Sequence, residues 1–250
     1  MELNNKTLLV FDFDNTLIED STFHPLFFKY YTKDQITELR QTWNKISLIE
    51  LFREGMQQFK KLNKTIEDMK DIVENIKLID GYENVFKTIR DNKDKFMCII
   101  ISGGNKLMIN WLTDKYNITD LIYKVLAINS YHDEELIIKF DDPVGHGCDG
   151  VGCHVNQCKR VDLEKLLNEY KSANTNFNQF HKIIYVGDGE NDYCPAKLLG
   201  ESDVLFARKA FNLNELLEDH GHKENLVCKI NYWENGHDIN NYLVDLLNIK

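Results

Sequence analysis

The chain has 250 residues, 43% of them apolar and 11% aromatic. That is enough to bury one α/β core with a sizeable insertion, or two small domains, and it excludes a disordered chain. The formal net charge of -10 argues against general nucleic-acid binding, which needs a basic stripe, but not against a phosphorylated small molecule held in one local positive pocket.

In chain order, Leu8-Leu9-Val10-Phe11 is a short apolar run that ends in Asp12-Phe13-Asp14, the pattern of a fully buried strand. Residues 21 to 80 show no strand signal and at least three helical ones. Ser47 with Glu50 resembles a capping box, followed by Leu48, Leu51, Phe52, Met56 and Phe59 at helical spacing. Thr65 with Asp68 repeats the pattern before Ile66, Met69, Val73 and Ile76. The expectation is a helical cap over residues 21–80, inserted into a core made of residues 1–20 and 81–250. Strand-like runs then recur at Phe96 to Ile101, Ile183 to Val186 and, more weakly, Asp203 to Phe206. Val125 to Phe140 alternates loosely and suggests a hairpin, while Lys171 to Gln179 reads as an exposed polar loop. Strand and helix alternation of this kind implies an α/β fold, a doubly wound, mostly parallel, Rossmann-like sheet.

No apolar run approaches the roughly 18 residues of a membrane span. Met1 to Lys6 lack the regions of a signal peptide. The expectation is a cytoplasmic protein with no membrane partner and with its six cysteines reduced. Cys98, inside an apolar run, reads as core.

Four sites carry chemistry. Asp12 and Asp14 follow a buried strand, and open α/β sheets bind ligands beyond the carboxyl ends of their strands. Adjacent carboxylates repel, so they need a cation, a shared proton or solvent; one can attack phosphorus while the other handles the leaving-group proton. Gly187-Asp188-Gly189-Glu190-Asn191-Asp192 follows another apolar run, and Asp188 and Asp192 supply hard oxygen ligands suited to Mg²⁺. Ser102-Gly103-Gly104-Asn105 stands between a strand and a helix, where a hydroxyl and backbone N–H groups make an anion site. Lys159 precedes an amphipathic run, and a lysine can neutralise charge on a transferring phosphoryl group.

This order of motifs, strand-D-x-D-x-T, strand-S, K, strand-G-D-G-x-N-D, resembles the haloacid dehalogenase-like superfamily of phosphatases over the whole chain. The resemblance implies Asp12 as nucleophile, Asp14 as general acid/base, and a phosphoryl group held by Ser102, Gly103 and Lys159 with Thr16 at hand. It further implies Mg²⁺ bound by Asp188, Asp12 and the Asp14 carbonyl and supported by Asp192, with Thr16 and Asn191 orienting these groups. The expected partner is a small phosphomonoester. A phosphoserine or protein phosphatase, or a catalytically silent binding protein, is the alternative on the same fold.

Two stretches narrow the resemblance. Tyr185 to Pro195 and Cys153-His-Val-Asn-Gln-Cys-Lys159 look like the phosphocholine/phosphoethanolamine phosphatase and pyridoxal-phosphate phosphatase family. That family has proline where this chain has His154, and Ser-Asp-Ala-Asn where this chain has Ser102-Gly103-Gly104-Asn105. Glycine at 103 removes a carboxylate that a cationic head group would use. Finally, His146, Cys148, Cys153, His154 and Cys158 crowd into one Gly-rich segment. Such a density of soft ligands can hold Zn²⁺, and reduced thiols in a substrate-side loop are the alternative.

Overall fold

The computed structural model describes residues 6–35, 37, 48–134, 137–140, 145–154, 157–173, 179–218 and 222–248. Ser47 of the first expected capping box lies outside them, as do residues 174–178 of the expected polar loop.

Six parallel strands form the central sheet in the order β3-β2-β1-β6-β7-β8. They are β1 (Thr7–Phe11), β2 (Phe96–Asn105), β3 (Ile122–Ile128), β6 (Lys182–Gly187), β7 (Val204–Arg208) and β8 (Lys229–Trp233). All five residues of β1 are buried, as a central parallel strand covered on both faces requires. Strand alternation sorts its side chains. Leu9 and Phe11 join Ile100, Val186 and Phe206 on one face, while Leu8 and Val10 join Ile99, Ile101, Tyr185 and Leu205 on the other.

The first face is covered by α4 (Tyr82–Asp91), α5 (Lys106–Lys115) and α9 (Gly236–Asn248) through Val85, Ile109 and Leu243. The second is covered by α6 (Lys159–Ala173), α7 (Tyr193–Ala196) and α8 (Asn212–Glu218) through Leu163, Ala196 and Leu213.

Between β1 and α4 lie the helices α1 (His24–Tyr30), α2 (Leu48–Lys61) and α3 (Ile66–Val73). The Thr65–Asp68 capping box is present: Asp68 N–H donates to Thr65 Oγ1 at 3.2 Å, and Thr65 N–H donates to Asp68 Oδ2 at 2.9 Å. Ile49, Phe52, Met56 and Phe59 of α2 and Met69, Ile72 and Val73 of α3 are buried, as their helical spacing predicts. The two connections to the sheet run side by side, with Ile18 bridged to Leu78 and Glu19 N–H donating to the Lys77 carbonyl at 2.9 Å.

Two expectations need correction. The hairpin of Val125 to Phe140 is shorter: Val125 to Ile128 belong to β3 in the parallel sheet, and the hairpin is β4 (Ser130–Asp133) with β5 (Ile137–Phe140). Lys171 to Ala173 belong to α6 and not to a loop. Among the described residues no helix is long and apolar enough to cross a membrane.

Candidate active site

The strand order reverses between β1 and β6. A crevice therefore opens beyond their carboxyl ends, where such sheets bind ligands. Asp12 continues β1 by one residue, its N–H donating to the Val186 carbonyl at 2.9 Å. The chain then turns sharply through Asn15, at φ 54, a left-handed position that asparagine tolerates. Arg208 Nη1 holds that turn by donating to the Asn15 carbonyl at 2.5 Å.

Lys159 is the centre of the constellation. Only 2% exposed, it sets its ammonium 2.8 Å from Asp12 Oδ1 and 2.7 Å from Asp192 Oδ1. Burial alone would lower its pKa, but the carboxylates of Asp12 and Asp192 outweigh it and hold the ammonium above the usual lysine range. Asp12 moves the other way. Burial and the Asp192 charge push it up to about 6 against the pull of Lys159. Burial, then Asp12 and Asp192, put Asp188 well above the ordinary range.

Asp12, Asp188 and Asp192 bring carboxylate oxygens within 4.8 Å of one another. Buried carboxyls this close demand a shared proton or a cation, and one lysine cannot neutralise three. The residues therefore fit a hard divalent cation such as Mg²⁺. Asp192 is fully committed: Oδ1 accepts from Lys159 and from the Tyr185 hydroxyl at 2.7 Å, and Oδ2 accepts from the N–H groups of Asp188 and Gly189 at 3.1 and 3.0 Å. It braces the site, and Asp12 and Asp188 are the carboxylates that could face such a cation. Gly187 makes this possible, because a Cβ there would lie 2.4 Å from the Asp192 carboxyl.

Asp14 sits apart from this cluster. Its Oδ1 accepts from Thr22 N–H at 2.9 Å. Burial, opposed by that bond, pushes its pKa up to about 7, in the range suited to proton transfer near neutrality.

Above Asp12 and Asp14 lies a cavity of about 330 Å³, lined further by Ser102, Gly103, Asn191, Phe23, His24, Phe52 and His154. Ser102 is buried and accepts the Gly104 N–H at 3.0 Å. Asn105 caps α5 by accepting from Met108 N–H at 3.2 Å. Thr16, expected beside the phosphoryl group and among the orienting residues, is fully buried, donates to Asp188 Oδ1 at 3.1 Å and does not line the cavity.

The expected soft-ligand set also changes. The sulfurs of Cys148, Cys153 and Cys158 converge with that of Cys194. His146 is engaged with backbone, Nδ1 accepting from Cys148 N–H at 3.1 Å and Nε2 donating to the His154 carbonyl at 2.8 Å. The His154 ring lines the cavity, its pKa lowered by burial and by Lys159. Sequence reasoning missed Tyr185, Arg208 and Cys194. For Cys194 the signal was its place two residues beyond Asp192.

A parallel α/β core with buried acids and a lysine around a crevice suits a hydrolase of phosphate esters, and the relatives are phosphatases. A family described as "Putative Phosphatase" matches residues 7–247. A human pyridoxal phosphate phosphatase is 30% identical over 97% of this chain and 99% of its own. A chicken phosphoethanolamine/phosphocholine phosphatase is 27% identical over 98% and 90%. A phospho-aspartyl intermediate analogue of phosphoserine phosphatase superposes with TM-score 0.61 at 17% identity, over 95% of this chain and 99% of that one. The chain belongs to this family of haloacid dehalogenase-like phosphatases, and it is a phosphatase.

Proposed function

We propose that the enzyme is a Mg²⁺-dependent phosphomonoesterase of small metabolites that works through an aspartyl-phosphate on Asp12. The observation that carries this reading is the Lys159 ammonium bridging Asp12 and Asp192 at the floor of the cavity. An Asp12 oxygen attacks phosphorus, and Asp14, poised near neutrality, protonates the departing alkoxide. Asp14 then takes a proton from the water that cleaves the acyl-phosphate. Lys159, Ser102 and the backbone around Gly103 hold the phosphoryl oxygens. Asp12, Asp188 and the Asp14 carbonyl would hold Mg²⁺, which when bound would add to the neutralisation of phosphoryl charge. In this reading residues 21–80 act as a cap over a core of residues 1–20 and 81–250. The cap's Phe23, His24 and Phe52 line a cavity of about 330 Å³, the size of a metabolite, which favours a small substrate over a protein.

The metal reading sets a pH dependence. Asp12, Asp14 and Asp188 have folded-state pKa values raised above the unfolded value, which is about 3.9. The metal-free fold therefore binds more protons than the unfolded chain above about pH 4, and its stability falls as pH rises through 6 and 7. The expected result is a melting temperature of metal-free protein that declines from about pH 5 to about pH 8, with a rise on adding Mg²⁺ that grows over the same interval. A Mg²⁺ effect independent of pH contradicts it.

The cavity lining also bears on substrate. Among the described residues it contains no carboxylate besides Asp12 and Asp14, and it presents the rings of Phe23, Phe52 and His154. A cationic head group finds no carboxylate there beyond that pair at the phosphate end, whereas a flat ring finds apolar faces to stack on. We infer a preference for pyridoxal phosphate or a similar uncharged-head ester over phosphocholine and phosphoethanolamine. The test is kcat/KM for these three, phosphoserine and an aryl phosphate at one Mg²⁺ concentration. A strong advantage for the cationic pair refutes the inference. Gly103→Asp adds the missing charge at a position where a Cβ meets Asn191 Nδ2 at 3.9 Å. It should move selectivity toward phosphoethanolamine on the order of tenfold.

A further inference from the structure

Four of the cysteines meet in one place. The Sγ atoms of Cys148, Cys153, Cys158 and Cys194 all lie within 4.8 Å of one another. Cys194 stands 3.5 Å from Cys148 and 3.8 Å from Cys158. None is in a disulfide. A tetrahedron of sulfurs around zinc, with bonds of about 2.3 Å, has edges of about 3.8 Å. Cys98 and Cys228, by contrast, belong to the two apolar clusters of the core. Soft thiolates in a closed set of four select zinc or iron and leave no open coordination position.

The surrounding chain is shaped around the sulfurs. Residues 145–150 carry no regular secondary structure. A Cβ on Gly150 would sit 3.3 Å from Cys194 Sγ and 3.5 Å from Cys148 Sγ. Gly152, at φ +71, brings the loop so close to Glu190 that a Cβ would fall 2.3 Å from its carbonyl oxygen. The His146 ring clips the two ends of the loop together through Cys148 N–H and the His154 carbonyl.

We propose that Cys148, Cys153, Cys158 and Cys194 bind one structural Zn²⁺ that pins the 145–158 loop to α7 and thereby positions Lys159. Cys158 directly precedes Lys159, and Cys194 lies two residues beyond Asp192. The metal thus ties together the backbone at the roots of the two side chains that pair at 2.7 Å. It also fixes the loop that carries His154 over the cavity. The metal site stands independently of the phosphatase reading; the link to Lys159 rests on it.

The decisive measurement is elemental analysis of the full-length protein purified under reducing conditions without chelator. One zinc per chain is expected, and Cys148→Ser and Cys194→Ser should each lose it. If either variant fails to fold, the wild type still answers: a thiol-specific mercurial should release zinc to a chromogenic chelator, and Co²⁺ replacement should give the thiolate charge-transfer band of a tetrahedral sulfur site. Absence of zinc, or iron in its place, overturns the proposal. Metal content needs no turnover assay, so it separates failure of this site from failure of the assigned activity. For the positioning role, protein stripped of zinc and returned to Mg²⁺ should lose roughly 10–100-fold in kcat. Zn²⁺ should restore the loss and additional Mg²⁺ should not. Turnover unaffected by zinc removal overturns that role.

Discussion

Asp12→Asn is expected to lower kcat by ~10⁴–10⁶-fold, the range seen when a nucleophile is removed from an otherwise intact site. An amide cannot form the acyl-phosphate, so what survives is binding and electrostatics. The same substitution should not destabilise the metal-free protein at neutral pH. Asp12 is held against Asp188 and Asp192 with its pKa pushed up to about 6, and removing one of three crowded carboxylates relieves repulsion. Lys159 keeps Asp192 as its partner at 2.7 Å. Steady-state kinetics and thermal melts of one preparation check both halves. Activity within tenfold of wild type would show that the nucleophile lies elsewhere.

Lys159→Met should cost both activity and stability, and the contrast with Asp12→Asn is informative. Methionine keeps most of the stem volume but not the ammonium. Losing a preorganised cation at the developing charge is expected to lower kcat by ~10²–10³-fold, with a rise in KM because the phosphate loses a ligand. In the fold, Asp12 and Asp192 lose their shared counter-ion while 5% and 0% exposed. Breaking a buried pair from one side costs about 3–5 kcal/mol. Denaturant unfolding at neutral pH reads this directly. Added Mg²⁺ should recover part of the stability, since a divalent ion at Asp12 replaces some of the missing charge, but not the activity. A variant as stable and as active as wild type would mean that Lys159 carries neither role.

The sequence exposed those parts of the site whose chemistry is local. Asp12 and Asp14 could be read because a continuous apolar run ends at them. Asp188 and Asp192 could be read for the same reason, together with the glycines of their turn. Helical spacing gave the buried faces of α2 and α3, and Thr65 with Asp68 gave the start of α3. What depended on chain folding over long separations stayed hidden. Cys194 joins Cys148, Cys153 and Cys158 from a helix in another motif, so counting soft ligands within one segment drew in His146 and His154 instead. Thr16 is close to the nucleophile in sequence, yet only the turn at Asn15 decides that its hydroxyl faces Asp188 and not the cavity. Tyr185 reads as one more apolar strand residue until its hydroxyl is seen on Asp192. The edge strand β8, Lys-Ile-Asn-Tyr-Trp, carries polar residues that weaken the buried-strand signal.

The position of β1 in the sheet has a consequence for how the chain acquires its structure. β1 is made before both of its neighbours, β2, beginning at Phe96, and β6, beginning at Lys182. Until β6 has been synthesised, an apolar segment that ends up buried on both faces has at most one partner. Pairing over such separations carries a large loop-closure entropy and is slow. The strand that ends at Asp12 is thus completed only when β6 reaches it, and until then the nascent chain carries an apolar strand with an unprotected edge.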